Sequence, residues 1–141
     1  TRACSLNPND DLSMIEMGRF KMYTNEPDKG AEHVRRAMRQ NPYHPNWYWN
    51  ILARCHHTAK DYRGAISALE QLETLHYWHH GYLAACHAEL GQMEKAKGHV
   101  TQALALKPDF SIRQFKLVHP YRDKQVLDDF FKSYEKAGFP E

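Results

Sequence analysis

Near the end of the chain, Val126, Leu127, Phe130, Phe131 and Tyr134 fall at i, i+1, i+4, i+5 and i+8. That spacing lines one broad apolar stripe on an α-helix. Asp123 stands where an N-cap is needed and Gly138 where the helix must stop. The alternation expected of strands is nearly absent elsewhere, and the chain reads as helices broken at short intervals. The breaks fall at Asn25-Glu26-Pro27-Asp28, Lys60-Asp61-Tyr62 and Gly91-Gln92-Met93. A short helix is predicted over Ser111–Val118, interrupted by His119-Pro120-Tyr121-Arg122.

The breaks are periodic. Pro8, Pro42 and Pro108 lie 34 and then 66 residues apart, and an alanine (Ala3, Ala37, Ala103) stands five residues before each. The missing boundary falls near Tyr77, with Leu72 in the place of the alanine. Gly18, Ala53 and Ala84 mark the middle of each first helix, and Gly30, Ala65 and Ala96 the early part of each second helix. Small side chains let two helix backbones approach, as an antiparallel pair requires. A period in this range marks a stacked helical array.

On these residues the chain resembles the tetratricopeptide repeat (TPR) family. One copy reads Trp49, Leu52-Ala53, Ala65, Leu69, Leu72, and another Leu83-Ala84, Ala96, Val100, Ala103, Pro108. A looser copy reads Met14, Met17-Gly18, Gly30, Val34, Ala37, Pro42. The resemblance implies an all-α fold, a right-handed superhelical array of antiparallel helix pairs: about three TPR units and a C-terminal capping helix. The expected organisation is residues 1–8 as the end of a preceding repeat helix, 9–110 as three repeats, and 111–141 as a short helix plus the amphipathic cap. The chain therefore reads as part of a longer protein. The phrases NPYHPNWYW, LKPDFS, and PYRD followed by a helix ending KAGFPE are similar to the C-terminal TPR region of certain bacterial class III adenylate/guanylate cyclases. This resemblance implies a bacterial signalling parent; no segment here resembles a cyclase catalytic domain.

Composition narrows the function. The formal charge of +2 gives little pull toward nucleic acid or anionic lipid, and Arg35, Arg36 and Arg39 read as a solvated helix face. No apolar run approaches the ~20 residues of a membrane span. Cys4, Cys55 and Cys86 show no paired spacing and read as reduced thiols, with Cys55 and Cys86 packed inside, so a cytoplasmic protein is expected. No phosphate loop, nucleophile elbow or His-Glu-x-x-His motif is present, and neither a catalytic residue nor a cofactor is expected. Ten histidines are many, and His76 and His80 stand at i,i+4. Adjacent pairs such as His56-His57 point about 100° apart on a helix, however, and no zinc spacing occurs, so no metal site is expected.

Binding remains. In a solenoid of helix pairs the first helices line the concave face. The packing side of the second repeat is expected to run Trp49, Leu52, Ala53, His56 and the groove side Trp47, Asn50, Arg54, His57. Arg19 and Tyr23 are the first-repeat counterparts, and Trp78 and Tyr82 those of the third. Aromatic rings beside arginines suit an acidic protein or peptide, extended or helical. The family's carboxylate clamp uses set Lys and Asn positions; here these hold Ile15 and Arg19, or Asn50 and Arg54, so it does not transfer. The alternatives are a structural or dimerising module, the TPR region of a transcriptional regulator, and a metal-dependent activity on the central histidines.

Overall fold

The computed structural model describes residues 10–141. The last turns of a preceding repeat expected at residues 1–8, and Cys4 with them, lie outside the described residues. Among the described residues eight helices follow one another: α1 (Asp10–Tyr23), α2 (Pro27–Gln40), α3 (Trp47–Thr58), α4 (Tyr62–Leu69), α5 (Tyr77–Glu89), α6 (Met93–Leu106), α7 (Ile112–Lys116) and α8 (Lys124–Ala137). No strand occurs among the described residues. The first six form three antiparallel hairpins, and successive hairpins stack as α2 on α3 and α4 on α5.

All three hairpin turns are made in one way. The backbone N–H groups of Glu26, Asp61 and Gln92 donate to the carbonyls of Lys21, His56 and His87, each at 2.8 Å. The residue before each donor, Asn25, Lys60 or Gly91, has φ of 68°, 65° or 77°. This left-handed closure satisfies the last carbonyls of the first helix and aims the chain back along it. Only Gly91 adopts it without a Cβ penalty. Pro27 then begins α2 where a missing N–H costs nothing, and the Asp61 carboxylate caps α4 by accepting from Gly64 N–H at 3.0 Å.

Two glycines set the spacing of α1 and α2. A Cβ on Gly18 would meet the Gly30 carbonyl oxygen at 2.8 Å, and one on Gly30 would meet the Gly18 oxygen at 2.6 Å. The same Cβ on Gly30 would stand 3.3 Å from the Cys55 sulfur, so this glycine also admits α3. Cys55 and Cys86 are both fully buried and free.

The C-terminal segment does more than cap an edge. Ser111 and Asp123 N-cap α7 and α8 through bonds from Gln114 and Gln125 N–H, and Gly138 ends α8 at φ 104°. α8 lies along α5 and reaches α3. Tyr134 sits 3.2 Å from the place a Cβ on Gly81 would take. The apolar stripe of α8 joins the core of the hairpins, where Phe115, Phe130, Phe131 and Tyr134 meet ring to ring at 4.9–6.0 Å. The linker ahead of it is tied to the first hairpin. Arg122 N–H donates to the Tyr23 carbonyl at 3.0 Å, and the Asn25 amide to Asp123 at 3.1 Å.

α4 is shorter than the repeat pattern implies. It ends at Leu69, so Leu72 lies in the loop to α5 rather than at a buried helical position like those of Ala37 and Ala103. Trp49 packs against the core as expected, but its neighbour Tyr48 is the more deeply buried ring. Tyr48 is only 2% exposed, whereas Trp49 is half-buried against the core. On a helix one step turns about 100°, which is enough to trade one ring for its neighbour.

Gly30→Ala is expected to lower unfolding free energy by about 1–3 kcal/mol through backbone overlap. Gly98→Ala should raise it by about 0.5–1 kcal/mol, because a Cβ there meets nothing within 4 Å. Urea denaturation of the two variants against the parent checks both signs.

Candidate functional site

Between α1, α3 and the start of α5 the concave face opens into a cleft of about 490 Å³. α1 contributes Arg19, α3 contributes Trp47, Asn50 and Arg54, and α5 contributes Trp78, so five of the eight expected groove residues share one cavity. The shortened α4 supplies the far wall, since the loop after it brings Leu72, Glu73 and Thr74 to the cleft. His76 and His79 line it as well. Repeat register could not reveal these loop residues; the signal available was the absent boundary proline and alanine near Tyr77.

The other three expected residues are placed differently. Tyr23 stands behind the cleft, where its hydroxyl accepts a hydrogen bond from Arg54 and its ring meets Tyr121 edge-on at 4.7 Å. His57 and Tyr82 are not groove residues: they are 3% and 4% exposed and lie beneath α8. His57 packs on Phe130 at 4.1 Å and its Nε2 is 3.3 Å from the Ser133 hydroxyl, while the Tyr82 hydroxyl bonds His119 Nε2 at 3.1 Å. The reason is tertiary. α8 covers the C-terminal part of the concave face, and side chains that would have faced a partner face the chain's own helix.

The open part is unusual in its unmet polar atoms. Arg19 Nε, Asn50 Oδ1 and Arg54 Nε are all buried from water and have no hydrogen-bond partner among the described residues. Buried polar groups are ordinarily paired, and leaving one unpaired costs about 1–3 kcal/mol. Arg19 reaches Glu16 only at 3.9 Å and lies over the Trp47 ring at 5.9 Å. Trp47 itself is 40% exposed.

Trp78, also on the cleft wall, shares an acceptor with a backbone group. Its indole N–H points at His79 Nε2 (3.0 Å), while the backbone N–H of His76 points at His79 Nδ1 (2.9 Å). Burial, with the neighbouring His76 and His80, lowers the His79 pKa to about 4, so at neutral pH the ring is uncharged. A neutral imidazole has a single lone pair to offer. The two donors therefore compete for one acceptor, and both His76 and Trp78 stand on the cleft wall.

The remaining histidines do not assemble a metal centre. His76 stacks on Trp78 at 4.5 Å, and His80 turns to His99 of α6 with Nδ1 atoms 3.0 Å apart. Among the described residues no group of three or more His, Cys, Asp or Glu side chains has a metal-binding arrangement. No helix among them is long and apolar enough to cross a membrane.

No protein-family model matches the chain. No curated protein matches it either. Solved structures do, two of them as follows. "Crystal structure of MamA" is 21% identical with a TM-score of 0.68, covering 96% of this chain and 81% of that one. "Crystal structure of MamA protein" is 21% identical with a TM-score of 0.66, covering 94% and 74%. MamA contains TPRs, and the likeness shows a TPR-like all-helical fold for this chain.

Protonation should loosen the fold from within. Burial lowers the pKa of His57 to about 3 and, joined by the Arg54 charge, that of His119 to about 3. The unfolded histidines titrate near ~6.5 and take up protons that the folded ones refuse. Stability is therefore full above about pH 6.5 and is lost as pH falls from there toward about 3. In denaturation curves collected from pH 7.5 to 5, His57→Phe is expected to remove about one proton's share of the slope, about 1.4 kcal/mol per pH unit.

Proposed function

We propose that this chain is a non-catalytic interaction domain whose cleft receives a peptide or helix of a partner protein, acidic in character. A TPR-like fold suggests protein partners. One observation supports the cleft as the place of contact: it is lined by two indoles and by three buried polar atoms with no partner among the described residues. A partner backbone or side chain would complete them, while burial of Trp47 and Trp78 would supply apolar contact. The parent we propose is a bacterial signalling protein of the class III cyclase kind. That rests on the similarity of NPYHPNWYW, LKPDFS and PYRD with the helix after it, and the coding sequence upstream of Thr1 tests it.

Selection of displayed 12-residue peptides against the whole chain tests the cleft. Enriched peptides should lose at least about tenfold in affinity to Trp47→Ala or Asn50→Ala, with the circular dichroism spectrum unchanged. Absence of enrichment, or enrichment indifferent to both variants, would sink the proposal. Tyr48→Ala should instead destabilise the fold by about 3–5 kcal/mol, as a buried ring does.

Self-association is a second reading, favoured by Leu12, Met17 and Phe20 of α1, all exposed on one side of the array. Sedimentation across a concentration series separates the two. A concentration-independent value speaks for the first reading, and a rising one for the second.

A further inference from the structure

A smaller crevice of about 230 Å³ opens where the turn between α3 and α4 meets α8, and it shares no lining residue with the cleft. Tyr62, Val126 and Phe130 wall it, and Lys60 and Asp129 also line it. His57 lines it as well and is itself only 3% exposed. The imidazole packs on Phe130 at 4.1 Å and meets Tyr62 edge-on at 5.5 Å.

The hydrogen bonds around His57 decide what that ring can offer. Glu89 is paired with Lys136 and is a carboxylate, which only accepts. It accepts from the Ser133 hydroxyl at 3.0 Å and from the Tyr62 hydroxyl at 3.1 Å. The Ser133 proton is thereby spent. Its oxygen, 3.3 Å from His57 Nε2, can only receive the N–H of that nitrogen. Burial lowers the His57 pKa to about 3, so at neutral pH the ring carries one proton and Nδ1 is a bare acceptor. That nitrogen is buried and has no hydrogen-bond partner among the described residues, where such groups are ordinarily paired.

We propose that this crevice binds a small, free, uncharged molecule of the phenol class, its ring against Phe130 and Tyr62 and its hydroxyl donating to His57 Nδ1. A bare acceptor requires a donor from the ligand. Aromatic walls favour a flat ring, which can stack or meet them edge-on. An apolar cavity of about 150 Å³ already admits benzene, so one ring with one hydroxyl fits here. Drug-sized ligands need about 300 Å³ or more and do not. Lys60 and Asp129 offset each other in charge, so the crevice holds no net attraction for an ion. Ser133 is a positioning residue, since it sets the tautomer that leaves Nδ1 to the ligand. The site is independent of peptide binding in the cleft.

The test records the imidazole ¹⁵N signals of the labelled chain, alone and with phenol, anisole or N-acetyl-tyrosine amide. In the free chain Nε2 of His57 is expected to be the protonated nitrogen and Nδ1 the bare one; the reverse tautomer overturns the proposal. Phenol should move the Nδ1 signal and bind at least about fivefold tighter than anisole, whose oxygen has no proton to donate. Val126→Phe, which fills the crevice, should abolish phenol binding, and undiminished binding to it overturns the site. Where that variant does not fold, phenol against anisole on the parent chain decides. Equal binding of the two overturns the hydrogen bond to Nδ1. If no probe moves Nδ1, the crevice is left to water and the proposal fails. N-acetyl-tyrosine amide binding as tightly as phenol assigns the crevice to a partner's tyrosine and overturns the free ligand. The indole signals of Trp47 and Trp78 report on the cleft separately.

Discussion

The close approach of helix backbones is the constraint on which the rest of the molecule depends. Gly18 and Gly30 face each other with no room for a methyl group on either, and Cys55 of the next hairpin stands against the same glycine. A larger residue would force α1 and α2 apart and also lift α3 off them. Since the cleft is the space between α1, α3 and the start of α5, its width follows from that spacing. The Nε–H of Arg19, the amide of Asn50 and the guanidinium of Arg54 converge because their helices are held at short range.

A second contact of the same kind divides the concave face. Gly81 leaves the surface of α5 low enough for Tyr134, and α8 lies down on it with its aromatic stripe inward. The half of the face nearest the C-terminus becomes core, and its histidines and tyrosines become structural. The other half stays open because the linker to α8 is drawn toward Tyr23 and Asn25 at the far end of α1. Tyr121 on that linker bonds Thr58 at 2.7 Å and meets the Tyr23 ring, closing the back of the cleft around Arg54. The open cleft and the docked helix are thus two products of one arrangement.

Much of this was legible in residue order. The period of the breaks, the small residues and the turn residues placed α1 to α6, and the caps of α8 were readable at Asp123 and Gly138. The cleft was legible in part: Arg19, Trp47, Asn50, Arg54 and Trp78 stand at groove register and do share a cavity. His57 and Tyr82 stand at readable positions too, but register says which way a side chain leaves its helix and nothing about what later covers it. The same limit explains Tyr48 and Trp49, where neighbouring rings differ by one helical step and packing chose between them.

By itself, then, the chain determined its hairpins, because capping, turn formation and backbone approach are local and act within a repeat or between adjacent ones. Only the tertiary structure decided how much of the concave face stays open. That depends on where α8 docks, on α4 ending at Leu69 and on the loop that follows it. It depends as well on a contact between Asn25 and Asp123, residues 98 positions apart. No local pattern encodes a pairing at that distance. It emerges when one apolar stripe finds the low surface that small residues left for it.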